Sequence, residues 1–501
     1  MHKELERSTP EKEGVSSEAI LKLIDHMEED FTECHGIMIM RHGKVIAEGW
    51  WSPYSSNQRH SMMSASKTFT GTAFGIAKHE GILSFDEKII DLFPEYLPEY
   101  VSENLKKVTI HHLLSMSSGV AYETWMTDSW IQDYLNAPFV NEPGTDSAFL
   151  YNNAPATLLA AILRKKTGLH IRDYLKTRLF DKIGIDYSNT TWFSLADGTA
   201  FAPGGLHCTT EDLLRLMKLY LDGGVWDGER ILDKDFVETA THPVVGTREI
   251  MKDVVVQDRI SDNLYGYGYM MWIGRKKNTY RAEGAFGQFG FVDPEKDLII
   301  AITQSSQESP VSQTTLDYIW EFIDSIQSES LPEDTSSAKK LQNRLKRLSV
   351  RAGTVCDKYS FIHEGETYVL EENAQPGNLF YDPVKQNPLS EKYDGLHAFS
   401  FTKKDHHIVV MNALINGKNY ELTIPADGTY AKNIIDEMYI SECLNRGYFK
   451  DENTFCVEFR WVEQVYAAEL EFCFKDDCVD VTDHAVLGSW NLKGTVHGRT
   501  A

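Results

Sequence analysis

The sequence predicts an α/β (α+β) protein: helices packed around an antiparallel sheet, followed by a separate C-terminal antiparallel β domain. Three observations predict it. Up to about residue 326, apolar positions at helical spacing alternate with short β-branched runs. Between Ser328 and Lys346 the composition shifts to Ser, Glu, Pro, Asp and Lys, which marks a linker. Beyond it, Phe455, Val457, Phe459 and Trp461 alternate with polar residues, as do Ala468, Leu470, Phe472 and Phe474, the period of half-buried strands. At 501 residues the chain exceeds one typical domain. The expected boundaries are 1–328 for the first domain, 329–348 for the linker and 349–501 for the β-rich domain.

Taken in order, Ile20, Leu23, Ile24 and Met27 define a helix starting at Ser16-Ser17. Gly36–Met40 and Lys44–Ala47 flank Arg41-His42-Gly43 as a hairpin. A helix from Thr68 to His79 stops at Gly81, and a short one enters at Thr109 and ends near Gly119. Pro143 to Asn153 reads as a turn presenting an exposed aromatic, Tyr151, before a helix that is capped after Thr167 by Gly168. Ala202-Pro-Gly-Gly-Leu206 is a glycine-forced turn before a helix over Thr210–Leu221. Tyr265–Ile273 and Tyr280–Pro294 each read as a strand, the glycines of the second leaving one face open to a ligand. A buried strand over Asp297–Thr303 and a helix over about Ser312–Ile326 complete the first domain, and a short basic helix, Ala338–Leu348, closes the linker. In the last domain, Asn416-Gly417 between two apolar runs signals a hairpin.

Lysine and arginine total 50 against 74 acidic residues, a net charge of −24. With no basic stripe to offset it, this excludes nucleic acid and anionic membrane surfaces as expected partners. No apolar run is long enough to span a membrane, and the N-terminus lacks the apolar core of a signal peptide. The seven cysteines are scattered, with no C-x-x-C pair, so neither a disulfide framework nor a zinc site is expected. The chain therefore reads as cytoplasmic, or as secreted if a leader has been removed. No cofactor and no metal are expected. The adjacent His111 and His112 point apart on a helix and read as structural, as does His207.

One stretch carries chemistry. Ser64 and Lys67 stand three residues apart where a helix begins, so the amine can reach the hydroxyl and serve as its base. The spacing by itself is cheap, recurring at Ser336/Lys339, Ser337/Lys340 and Ser400/Lys403. Tyr151 and Asn153 can place a phenol and an amide at one edge of a cleft. Lysine and tyrosine ordinarily titrate near 10, so such a site must pull at least one of them down. A cationic Lys67 beside Tyr151 would favour the phenolate, with the two titrating as a pair.

Together, Ser64-Ala-Ser-Lys67-Thr-Phe-Thr-Gly71, Pro143-Gly-Thr leading to Tyr151-Asn-Asn153, Ala202-Pro-Gly-Gly-Leu206 and Gly284-Ala-Phe-Gly-Gln288 with Phe291-Val-Asp-Pro294 resemble the serine β-lactamase and penicillin-binding-protein superfamily. The likeness is to its class C and esterase-like branch, including 6-aminohexanoate-oligomer hydrolases, and covers about the first 325 residues. Thr109–Gly119 is similar to the family's helix after the nucleophile. The resemblance implies a β-lactamase-like antiparallel sheet flanked by helices, with an all-helical subdomain. It implies Ser64 as the acylated nucleophile, Lys67 as its base and Tyr151 as second base and acid. Asn153, Ala282 and Gly284 would position substrate, and the backbone N–H groups of Ser64 and Ala285 would form the oxyanion hole. Where the family usually has Lys-Thr-Gly or His-x-Gly, this chain has Ala282-Glu283-Gly284. The missing cation shifts the expected substrate from carboxylate-bearing β-lactams and D-alanyl peptides to esters and neutral or cationic amides, in a small molecule or peptide. Glu283 would repel a carboxylate if it faced the cleft, although strand alternation turns it away from 282 and 284. The implied activity is ester or amide hydrolysis through an acyl-enzyme; the alternatives are a β-lactamase or D-alanyl peptidase, an acyltransferase, or a non-catalytic binding protein on the same fold. The C-terminal domain is expected to serve as a lid, a tether or a homo-oligomer interface.

Overall fold

A computed structural model describes the chain except residues 1–3, 30–31, 125–126, 253–254, 257–258, 307–311, 352–353, 356–363, 372–394, 416, 437–440 and 488–494. The described residues form two compact units, Met1–Trp51 with Ser55–Leu348, and Ser52–Tyr54 with Ser349–Ala501.

The first unit is built on six strands: β1 (Thr32–Arg41), β2 (Lys44–Trp50), β3 (Trp272–Ile273), β4 (Tyr280–Gly284), β5 (Gln288–Asp293) and β6 (Leu298–Ser306). All pair antiparallel, in the order β3-β4-β5-β6-β1-β2. His42 (φ 50°) and Gly43 (φ 72°) turn β1 into β2, the two left-handed residues that a tight hairpin turn needs. Helix α1 (Ser17–His26) begins where Ser16 accepts the Ala19 N–H at 3.1 Å.

Both faces of the sheet are covered, and β6 is buried along its whole length. On one face, a Cβ added at Gly290 would lie 2.7 Å from Met217 of the helix Thr210–Leu221. On the other, Phe291 meets Trp320 of the helix Gln313–Ser325 edge to face at 4.9 Å. The space left by the glycines at 284 and 290 is therefore taken up by Met62 and Met217 of the protein itself. Between β2 and β3 the chain runs through mostly helical structure, including α2 (Ser66–His79), the short helix Ile110–Leu114 and α3 (Asn153–Thr167). Gly168 (φ 74°) ends α3, its N–H reaching Arg164 O at 2.7 Å.

Two strand expectations are corrected. Only Trp272–Ile273 of the 265–273 stretch is strand. Gly266 and Met270 have positive φ (112° and 54°), and a Cβ on Gly268 would fall 2.0 Å from Ala240 O, so these glycines mark bent backbone pressed on a neighbour. Tyr280–Pro294 is a hairpin rather than one strand, turning at residues 285–287. The helix entered at Thr109 is also shorter than expected, ending at Leu114.

A helix at Thr335–Leu345 lies within the first unit. The second unit is one ten-stranded antiparallel sheet: β7 (Thr367–Leu370), β8 (Leu396–Lys403), β9 (Ile408–Ile415), β10 (Lys418–Pro425), β11 (Ala431–Ile434), β12 (Glu442–Asp451), β13 (Thr454–Arg460), β14 (Ala467–Lys475), β15 (Cys478–Leu487) and β16 (Thr495–Thr500). The order is β10-β9-β8-β7-β16-β15-β14-β13-β12-β11. The sheet curls until its ends meet, because the Asn433 amide on β11 accepts the Thr423 N–H of β10 and donates to Thr423 O, both at 2.9 Å. Inside, Phe399, Phe401, Phe455, Phe472 and Phe474 pack ring to ring. The expected hairpin is present as β9–β10, with Gly417 at φ 78°; Asn416 lies outside the described residues.

Candidate active site

Ser64 sits in a 3-10 turn, Met63–Ala65, that leads directly into α2. Met63 is left-handed (φ 45°), a conformation that costs a non-glycine residue about 1–3 kcal/mol and recurs at functional turns. The turn leaves Ser64 half-buried, while Lys67, one turn along, is 1% exposed. Three oxygens surround the Lys67 amine. It donates to Ser64 Oγ at 3.0 Å, to Asn153 Oδ1 at 2.9 Å and to Pro203 O at 3.1 Å, and it lies 4.7 Å from the centre of the Tyr151 ring.

Each partner is held by its own element. Asn153 is the first residue of α3; Asn152 caps that helix through Ala154 N–H, and Glu123 Oε1 accepts the Asn153 N–H at 3.1 Å. Pro203 belongs to the glycine turn, which is tied to α2 by Leu206 N–H donating to Ser66 Oγ and by Thr70 Oγ1 donating to Ala202 O. Tyr151 stacks on Trp272 (5.2 Å, 24°) and meets Tyr267 edge to face at 6.0 Å. The preceding residue, Leu150, donates its N–H to Met116 O, which anchors the phenol's segment on the 110–119 stretch. Tyr151 is thus half-buried rather than exposed.

Burial decides the protonation states. Desolvation pulls the Lys67 amine down from its ordinary value to about 7, opposed by the charge of Glu123. It pushes the Tyr151 phenol up, opposed by a hydrogen bond with Ser64 and reinforced by the charges of Glu283 and Glu123. Of the two groups, one of which the chemistry requires to be pulled down, the amine is the one brought near neutrality, and burial disfavours the phenolate.

Opposite Ser64 lies the end of β4. Ala282 and Gly284 are buried, and a Cβ on Gly284 would stand 2.4 Å from Met62 O. Only glycine lets the strand end lie this close to the turn that carries Ser64; Ala285, the next residue, is half-buried. Glu283 is paired with the fully buried Arg281 at 2.6 Å, and Arg281 also binds Asn263 Oδ1. Its charge is thus compensated within the strand.

The three histidines read as structural from the sequence each have a packing reason. His112 forms a capping box with Thr109, His111 binds Tyr269 OH at 2.6 Å, and burial lowers the pKa of His207 to about 3. Among the described residues no group of three His, Cys, Asp or Glu side chains could hold a metal, and no helix is long and apolar enough to cross a membrane. Trp272, Glu123, Pro203 and the buried His35–His60 pair (2.8 Å) ahead of Ser61 were not singled out for this site; only the proline turn carried a sequence signal.

Residues 24–322 match the family described as Beta-lactamase. The chain belongs to the β-lactamase family. This β-lactamase-family chain is 26% identical over 316 residues to the 6-aminohexanoate-dimer hydrolase of Paenarthrobacter ureafaciens, covering 58% of this chain and 78% of that protein. It is 26% identical over 236 residues to a β-lactamase of Yersinia enterocolitica, covering 42% of this chain and 56% of that one. Among solved structures, a penicillin-binding-protein homologue from Caulobacter crescentus shares the fold at TM-score 0.51 and 16% identity, over 65% of this chain and all of that one. The chain is a β-lactamase-family serine hydrolase.

Proposed function

We propose that Ser64 is the nucleophile of this hydrolase and that its substrates are esters or amides that are neutral or cationic near the scissile bond. The observation that carries the reading is the Lys67 amine, buried, brought to a pKa of about 7 and 3.0 Å from Ser64 Oγ. In its neutral form the amine takes the hydroxyl proton as Oγ bonds to the carbonyl carbon. Asn153 Oδ1 and Pro203 O keep its lone pair aimed at Ser64. The resulting oxyanion is received by the N–H groups of Ser64 and Ala285, each donor commonly worth about 3 kcal/mol. When the tetrahedral intermediate collapses, the leaving group takes a proton from Tyr151, whose phenol burial keeps protonated. Tyr151 regains it from the Lys67 ammonium, and water then repeats the sequence on the acyl-enzyme.

Ala282 supports the substrate class, since it supplies no cation for a substrate carboxylate. Glu123, whose charge acts on both Lys67 and Tyr151, disfavours anions at the site. The test is a panel of nitrophenyl esters, nitrocefin, D-alanyl peptides and aminohexanoate dimers, run on wild type and Ser64→Ala. Turnover of uncharged esters that drops by at least about 10³-fold in Ser64→Ala is expected. A variant that keeps the full rate removes the assignment.

A further inference from the structure

The turn that carries Ala285 is unusual in what holds it. Gly284 pairs with Gln288 across three turn residues, with Phe286 (φ 63°) and Gly287 (φ 91°) both left-handed. A buried phenylalanine in that region costs about 1–3 kcal/mol and persists only when its surroundings impose it. Part of the restraint is backbone: Gly287 N–H donates to Gly284 O at 3.1 Å and Ser306 N–H to Phe286 O at 2.9 Å. One side chain adds to it.

Gln288 is fully buried, and its amide is engaged at both ends. Its Oε1 accepts the Gln304 N–H at 3.2 Å, while Nε2 donates to Gln304 O at 2.7 Å and to Ala285 O at 3.2 Å. The backbone ladder between β5 and β6 starts only at Phe289–Ile302. Beyond it, the Gln288 side chain takes the place of a peptide unit, satisfying both backbone groups of Gln304. The bond to Ala285 O holds the Ala285–Phe286 peptide, and with it the residue whose N–H is assigned above to the oxyanion hole. The Gln304 side chain packs on the same turn from the other side. A Cβ on the adjacent Gly287 would already lie 1.9 Å from Gln304 Nε2, which is itself bonded to Thr315 Oγ1 at 2.8 Å.

We propose that Gln288 is a positioning residue for the oxyanion hole, its amide splicing the Ala285 turn onto β6 so that the Ala285 N–H is fixed before substrate arrives. This rests on the assignment of Ser64 as nucleophile. A donor that is pre-aimed lowers the barrier without strengthening ground-state binding, so Gln288 acts on kcat and leaves KM nearly unchanged.

The experiment uses the full chain with a nitrophenyl ester and a phosphonate that becomes a tetrahedral adduct on the serine. Gln288→Met keeps the volume and removes all three bonds. Gln288→Glu keeps the acceptor for Gln304 N–H and removes both donors. Thr315→Val is the structural control, deleting the buried hydrogen bond to the Gln304 side chain while leaving the three bonds of the Gln288 amide in place. Both Gln288 variants are expected to lose about 10- to 100-fold in kcat, with KM within about threefold and phosphonylation slowed in parallel. Thr315→Val is expected to melt lower with kcat retained. If Gln288→Met does not fold, Gln288→Glu with the phosphonate rate decides. Wild-type kcat in a folded Gln288 variant overturns the proposal, as does a loss shared equally by kcat, KM and the Thr315→Val control. Ser64→Ala measured alongside separates the two assignments: if it keeps its rate, the nucleophile is wrong; if it is inactive while Gln288→Met is not impaired, only the positioning role is wrong.

Discussion

Lys67 links catalysis and stability through one proton, and the size of the link follows from the burial of its amine. An ordinary lysine, with a pKa of about 10.4, is neutral in roughly one molecule in 2,500 at pH 7. With Lys67 lowered to about 7, half the molecules hold a base there, an advantage of about 10³ in the reactive form. The ester kcat/KM is therefore expected to rise through a single inflection at about pH 7 and to stay flat to about pH 9.5, because the Tyr151 phenol is held above its usual range. Stability should follow the same proton. Between about pH 7 and 10.4 the unfolded chain binds one proton more than the folded one, so raising the pH stabilises the fold; below pH 7 both forms are charged and the whole desolvation penalty remains. From pH 7.5 to 9.5 the wild type should gain about 2.5 kcal/mol relative to Lys67→Met, read by urea denaturation. Glu123 raises the amine's pKa, and glutamine retains the acceptor for Asn153 N–H. Glu123→Gln should therefore move the kinetic inflection to lower pH. An inflection near pH 10, or a stability difference that does not change between pH 7.5 and 9.5, would refute a neutral buried amine.

Two further outcomes rest on β4. Gly284→Ala sets a methyl 2.4 Å from Met62 O, a backbone atom two residues before Ser64; ester turnover should fall at least about 100-fold, with a stability loss of about 1–3 kcal/mol in thermal melts. Arg281→Met strands Glu283 in a buried site and should destabilise the first unit by about 3–5 kcal/mol, with most of the loss recovered in Arg281→Met/Glu283→Gln. A double variant no more stable than the single one would show that the pair is not coupled.

Much of the site could be read from residue order, because its chemistry depends on short-range geometry. Three residues on a helix bring Lys67 to Ser64, and Asn152 and Asn153 mark a helix start, where caps are recognisable. What the sequence hid depends on non-local packing. Nothing in a methionine announces the left-handed turn at Met63. Glycines read as room for a ligand at 284 and 290 instead admit Met62 and Met217, since a missing Cβ records close approach without naming what approaches. Which of the two groups is shifted depends on the same packing. Spacing shows that Lys67 and Tyr151 meet, while their charges are set by how much water the surrounding elements exclude. The Tyr265–Ile273 strand failed where alternation gave way to Gly266 and Gly268, which favour bends over ladders.

Among the described strands of the second unit, every pair adjacent in the sheet is also consecutive in order, except β7 and β16. Such a meander can assemble hairpin by hairpin from local contacts, which favours fast folding. The exception joins Tyr368 to Thr500 across the whole domain, a loop whose closure entropy is roughly 4 kcal/mol above a constant. The last strand is therefore the latch of the domain. Removing residues 495–500 would uncover the facing edges of β7 and β15 together, turning a closed surface into two strand templates for association with other chains.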